Sequence, residues 1–275
     1  MGRCIMKLTN VLIDGNKKLA EIVDGEVYLL DTDKTMEDVI KRGNCGELEK
    51  AGREKISDPA YANLVEAEKI ICVGLNYPKH TAGIRMKDPD YPVLFSKFRD
   101  SLVPHNRDII IREGEDTYDY EGELVVVMGS RCYRVSKEEA MDHVFGYSIG
   151  NDVTCRDAQL RTGQWLAGKA MPTFGPLGPC IVTKDEYQPG NKVIRSFVNG
   201  VLKQEGNTDE MIFSIADIIE YTARYIPLDR GDLIYTGTPS GVALETQSGY
   251  LKEGDVIDIE IEGIGTLTNT VHLKP

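Results

Sequence analysis

No stretch of this 275-residue chain approaches the ~20 consecutive apolar residues of a membrane-spanning helix, so the pattern excludes a helical membrane protein. The opening residues Met1-Gly2-Arg3-Cys4-Ile5-Met6 lack the apolar core of an export signal, which places the expected protein in the cytoplasm. Met6 is an alternative start. Positive charge is also short: 32 Lys and Arg stand against 44 Asp and Glu, a formal charge of −12. Nucleic acid and anionic membranes require a basic face, and neither is expected as a partner. The six cysteines (Cys4, Cys45, Cys72, Cys132, Cys155, Cys180) include no CxxC pair. In a chain this long they read as free thiols of a reducing compartment, not as staples or a zinc site. There is no internal repeat and no low-complexity tract.

What is present is ordinary globular composition, with 41% hydrophobic and 28% charged residues. The first 65 residues read as a small separate domain. Val11 to Gly15 and Leu19 to Leu30 give short strands with Asp-Gly turns, and Thr35 to Ala51 gives a polar helix. A catalytic domain over 66–275 opens at the buried-strand pattern Ile70 to Gly74. Strands then predominate, at Ile109–Ile111, Leu124–Met128, Ile181–Val182, Val193–Val198, Leu233–Tyr235 and Val256–Ile261. A capping box at Ser136 predicts one helix, and Asp209 to Tyr225 predicts another. Many strands and few helices without βαβ alternation point to a mainly β, α+β fold and not to a doubly wound sheet.

Three carboxylates stand out. Glu121 and Glu123, in Asp119-Tyr120-Glu121-Gly122-Glu123, are two apart at a strand entry and share one face. Adjacent carboxylates repel unless a cation lies between them or one is protonated, and a hard cation prefers such oxygens. A solvated strand edge is the plainer reading of that pair. Asp152 lies in apolar, β-leaning sequence and is followed by Arg156, Gln159 and Lys169, a set suited to a cation and an anionic substrate. A structural salt-bridge network around Asp152 fits the same spacing. In Tyr235-Thr236-Gly237-Thr238-Pro239-Ser240-Gly241, Gly237 brings backbone amide close to an anion and Thr238 offers a hydroxyl. His80, in a polar loop after a strand, is the best histidine for proton transfer. His105, His143 and His272 read as satisfied surface or core histidines.

Val73-Gly74-Leu75-Asn76-Tyr77 with His80, Pro92 to Phe98, Asp119 to Leu124, Gly146 to Val153, Arg156-Asp157-Ala158-Gln159, Gln164 to Lys169, Pro176 to Pro179, Val198-Asn199-Gly200 and Gly231 to Val242 resemble, in order, the fumarylacetoacetate hydrolase family. The resemblance covers the chain from about residue 70 onward and is much looser before it. It implies a mixed β-roll with a small N-terminal α/β appendage. It implies Mg²⁺ or Mn²⁺ held by Glu121, Glu123 and Asp152, and a small keto-acid substrate. His80, Lys169 and Gln159 fall at catalytic positions, and Arg156, Thr238, Gly237 and Tyr77 at substrate positions. A homodimer is also implied.

Two departures matter. Relatives place a Glu three residues after the histidine, where this chain has Gly83, and an Asp where it has Pro172. Asp88 or Asp90, within the candidate lid 81–91, is the substitute the sequence offers for the absent Glu. The leading expectation is a metal-dependent hydrolase or lyase of a β-diketo or 2-keto acid. The alternative is a keto–enol tautomerase using the same metal, in which Lys169 or a metal-bound water moves the proton and no His–Glu pair is required, favoured by Gly83. Joint retention of Glu121, Glu123, Asp152, Arg156, Gln159 and Lys169 argues against a binding protein without turnover.

Overall fold

The computed structural model describes residues 7–43 and 45–275, so Cys4 and the start at Met1 or Met6 lie outside the described residues. Strands β1 (Lys7–Ile13), β2 (Asn16–Val23), β3 (Glu26–Leu30), β4 (Arg53–Ile56) and β5 (Tyr61–Ala62) come first. There follow β6 (Ile70–Gly74), β7 (Val93–Lys97), β8 (Leu102–Pro104), β9 (Asp108–Arg112), β10 (Tyr118–Asp119), β11 (Gly122–Met128), β12 (Val144–Asn151) and β13 (Thr154–Cys155). The last are β14 (Gly175–Thr183), β15 (Val193–Val198), β16 (Val201–Asn207), β17 (Leu233–Tyr235), β18 (Val256–Ile261) and β19 (Gly265–Lys274). A 12-stranded sheet runs β4-β3-β2-β1-β14-β12-β11-β17-β6-β7, with β5 on β1 and β8 on β14. A 5-stranded sheet runs β16-β15-β18-β19-β9, and β10 pairs β13. Most pairs are antiparallel, while β17–β6, β8–β14 and β9–β19 are parallel. This is the mainly β, mixed-sheet fold expected.

The alternation of β11 shows how the sheets pack. Leu124, Val126 and Met128 join a core with Ile194, Ile257 and Ile259 of the smaller sheet and Ile218 and Ile219 of a helix. Val125 and Val127 face the other way, into a core with Leu8, Leu30, Met36 and Ile40. Because both faces of β11 are covered, it reads as an unbroken apolar run. The expected boundary near residue 65 falls between β5 and β6, and the large sheet continues across it where Lys7 pairs with Val182 and Leu8 with Ile181.

Two helices are shorter than expected. α1 covers Met36–Arg42, because Gly43 at φ 71 ends it in the left-handed conformation. A separate 3₁₀ turn then spans Leu48–Lys50. The short helices α2 (Pro78–Gly83), α3 (Lys137–Ala140), α4 (Arg156–Leu160) and α5 (Leu166–Lys169) follow, with Glu139 accepting from Ser136 N at 3.0 Å in the expected capping box. α6 is Ile215–Tyr225, not Asp209–Tyr225: Ser214 and Asp217 form its capping box, and Asn207 and Glu210 cap a distinct 3₁₀ turn before it. A single turn, α7 (Ala243–Thr246), closes the series. None of the described helices is long and apolar enough to cross a membrane.

Candidate active site

Register brings the three carboxylates together. β11 begins opposite the end of β12, with Gly122 against Asn151 and Glu123 against Gly150. Glu121 and Asp152, just outside that pairing, are joined by Asp152 N donating to Glu121 O at 2.9 Å. One oxygen from each of Glu121, Glu123 and Asp152 lies within 4.8 Å of the others. All three are buried, so the pair Glu121 and Glu123 is no solvated edge.

The expected network around Asp152 exists as well. Lys169 Nζ lies 2.6 Å from Glu121 Oε2 and 2.8 Å from Asp152 Oδ2. Lys97 Nζ lies 2.6 Å from Asp152 Oδ1 and donates to the carbonyls of Val153 and Lys169. Arg156 Nη2 lies 2.6 Å from Glu121 Oε1, and Nη1 donates to Gln159 Oε1 at 3.0 Å. Burial acts to raise the Glu121 pKa, but Lys169 and Arg156 outweigh it and hold the group down to about 2. Lys169 keeps its proton for the converse reason: burial opposes the charge, and Asp152 and Glu121 more than restore it.

Glu123 stands outside this network. Its Oε2 accepts from Gly237 N at 2.8 Å, and no cationic side chain pairs with it among the described residues. Burial first, then the charges of Asp152 and Glu121, push its carboxyl well above the usual range. Three converging hard oxygens, one of them lacking a counter-charge, fit a divalent cation.

Above the carboxylates a cavity of about 570 Å³ is lined by His80, Arg156, Gln159, Lys169 and Thr238. Its apolar lining comes from Leu75, Ile84, Met86, Phe95, Leu160 and Trp165. His80 lies on α2, whose first residue is Pro78, and is 6% exposed. Its Nδ1 is 2.7 Å from Glu245 Oε1, and Glu245 Oε2 accepts from Gly241 N at 2.9 Å. The carboxylate absent at position 83 is thus supplied from α7. A Cβ on Gly83 would lie 2.7 Å from Glu245 Cδ, so the two positions share one space. The expected substitutes lie elsewhere: Asp88 accepts from the Thr81 hydroxyl, and Asp90 is exposed.

Three further expected site residues face other partners. The Gly237 amide is taken by Glu123, and its φ of +98° with Asn76 Cβ 2.7 Å from any added Cβ requires glycine. The Thr238 hydroxyl donates to Gly122 O at 2.9 Å and accepts from Gln204 at 2.8 Å while lining the cavity. Tyr77 does not line it: its side chain borders a separate cavity of about 220 Å³ with Lys79, Glu210 and Pro239. Sequence reasoning did not single out Lys97, Asp119 and Glu245. Lys97 carried a signal, a charge at the end of an apolar strand; Glu245 carried none.

Comparison with known proteins accords with this geometry. The model of the fumarylacetoacetate hydrolase C-terminal region matches residues 69–272. The oxaloacetate tautomerase of Bacillus subtilis is 44% identical over 211 residues, 74% of this chain and 70% of that protein. The mitochondrial oxaloacetate tautomerase of Xenopus laevis is 41% identical over 214 residues, 76% and 67% of the two. A solved fumarylacetoacetate hydrolase from Exiguobacterium antarcticum superposes with a TM-score of 0.87 at 36% identity, covering 98% and 100% of the two chains. A 2-hydroxyhepta-2,4-diene-1,7-dioate isomerase from Mycobacterium marinum gives 0.81 at 32%, covering 98% and 99%.

Proposed function

The chain belongs to the fumarylacetoacetate hydrolase family, and from that premise we propose that it is a cation-dependent keto–enol tautomerase of a small, oxaloacetate-like 2-keto acid. The observation that carries the enolate chemistry is the His80–Glu245 pair lining one cavity with Glu121 and Glu123. Because Glu245 supplies the carboxylate missing at Gly83, that pair serves hydrolysis as well, and the names of the tautomerase relatives at 41% and 44% identity are what favour tautomerisation.

Glu121, Glu123 and Asp152 would hold Mg²⁺ or Mn²⁺, which supplies Lewis acidity toward a keto oxygen. Every other step belongs to side chains. Glu245 accepts from His80 Nδ1–H, which leaves Nε2 as the base facing the cavity. His80 takes a proton from the carbon beside the keto group. The C–H electron pair becomes the C=C bond, and the carbonyl oxygen takes the negative charge. Lys169, kept as an ammonium, donates to that oxygen and does not act as the base. Proton return to oxygen completes the enol, and the reverse sequence gives the keto acid. Arg156 and Gln159 line the cavity on the polar side and orient the substrate carboxylate.

Hydrolytic carbon–carbon cleavage is the second reading, because the same His80–Glu245 pair is placed to deprotonate a water. Oxaloacetate and acetylpyruvate, each with and without EDTA, separate the two when enol absorbance and products are followed together. EDTA-sensitive loss of the enol band without CO₂ or cleavage products is the expected result. Stoichiometric acid and pyruvate would replace tautomerisation with cleavage, and activity indifferent to EDTA would overturn the cation-dependent reading. A cytoplasmic homodimer completes the proposal, its oligomeric state being testable by light scattering.

A further inference from the structure

Asp119 plays no part in the chemistry above, yet it is fully buried and both its oxygens are in use. Oδ1 accepts from Tyr120 N and from Ala243 N, each at 2.8 Å. Oδ2 accepts from Leu244 N at 2.9 Å and from Arg156 Nε at 2.9 Å, with Arg156 Nη2 at 2.8 Å. Ala243 and Leu244 open α7, the turn that carries Glu245, and the residue before them, Val242, offers no side-chain cap. Asp119 therefore caps that turn from a distant part of the chain, as an N-cap side chain does locally.

Tyr120 adds a second tie. Its hydroxyl donates to Gly241 O at 3.0 Å, and Gly241 N in turn donates to Glu245 Oε2. At φ +109°, with Lys203 O 2.1 Å from any added Cβ, Gly241 is confined to this path. The two residues that precede Glu121 thus clamp segment 241–245, which ends on the partner of His80.

We propose that Asp119 is a positioning residue that caps the α7 turn and thereby holds Glu245 against His80, tying the segment that bears Glu121 and Glu123 to the proton-transfer pair. The proposal rests on the His80–Glu245 reading. Orienting Arg156 alone would not require the two bonds to Ala243 and Leu244. An asparagine at 119 would turn its NH₂ toward donors whichever way it faced, so only a carboxylate serves both sides.

Ala243→Pro separates the two roles. It removes the Ala243 N–H and puts the ring carbon in its place, so the Asp119 carboxylate must withdraw from α7, while Arg156 keeps its bonds to Glu121 and Gln159. Proline is tolerated at a first helical position, and Val242 is already extended at φ −66 and ψ 154. On oxaloacetate tautomerisation, kcat is expected to fall roughly tenfold with KM within about twofold. In a Glu245→Ala background the same change is expected to cost nothing further, because it acts through Glu245. Asp119→Asn should show the same coupling in kcat and, through Arg156, a raised KM. Wild-type kcat in Ala243→Pro, or losses that multiply with Glu245→Ala, would overturn the proposal. If Ala243→Pro does not fold, the Asp119→Asn and Glu245→Ala cycle decides on the same criterion. Full activity in Glu245→Ala alone would instead remove the His80–Glu245 reading, and this proposal with it.

Discussion

Glu123 is the carboxylate on which the proposed cation binding turns, since Glu121 and Asp152 already face Lys169, Arg156 and Lys97. Its raised pKa means that, without a cation, the folded protein keeps a proton there above the pH at which an exposed Glu loses it. That group therefore lowers the stability of the metal-free fold as pH rises from the unfolded value toward the folded one. A cation displaces the proton and favours the opposite limb. The gain in Tm on adding Mg²⁺ is expected to be larger at about pH 8 than at about pH 5.5, and Glu123→Gln should abolish both the gain and its pH dependence. A Tm gain equal at both pH values would count against Glu123 as a ligand. For the proton-transfer pair, Glu245→Ala is expected to lower kcat by about 10² or more. Gly83→Glu in that background should recover part of it, because the two positions share one space. No recovery in a folded double variant would place the two carboxylates in different roles. The carboxylate cluster was legible because Glu121 and Glu123 sit two apart at a strand entry, Asp152 lies in apolar surroundings, and the family resemblance joined the three. Glu245 was not, because 165 positions separate it from His80 and the two meet only in the folded chain.

The presence of elements with a strong local pattern is legible in the sequence, whereas helix ends are set by local caps and stops that the spacing does not show. β11 stands out because both its faces are buried, and α6 because its apolar residues recur at helical spacing. The start of α6 was placed early because residues 207–210 carry a capping box of their own, which closes a 3₁₀ turn and not the helix. The β8–β9 connection shows a contact with no such pattern. His105, in that turn, accepts from Thr268 N of β19 at 3.0 Å and meets the edge of the Tyr61 ring. Burial lowers its pKa to about 4, so the folded state resists the proton that the unfolded chain accepts below about 6.5. Stability contributed here is complete above that pH and is lost as pH falls toward 4, by up to about 3 kcal/mol. Denaturation across that window is expected to be flatter for His105→Gln than for the natural chain, and parallel curves would remove this histidine from the acid limb.

At the scale of the molecule, the large sheet carries its N-terminal strands on β14, directly beside β12 and β11, which bear the site. Leu8, Leu19, Leu30, Met36, Val39 and Ile40 are each at most 3% exposed and share one core with Val125, Val127, Ile181 and Tyr235. At about 1.5–3 kcal/mol for each such side chain buried, withdrawing them would remove stabilisation comparable with the 5–15 kcal/mol by which a whole domain is usually stable. The faces of Val125 and Val127 would also meet water a few residues along the same strand from Glu123. A chain beginning at residue 66 is therefore expected to bind a hydrophobic dye such as ANS, to lose cooperative unfolding and to lose the proposed tautomerase activity. The full chain should unfold with the site and the N-terminal strands in one transition, followed by Trp165 fluorescence beside the cavity and by far-ultraviolet dichroism of the strands. Two separated transitions, with the later one retaining activity, would show that residues 66–275 hold the site without the strands before them.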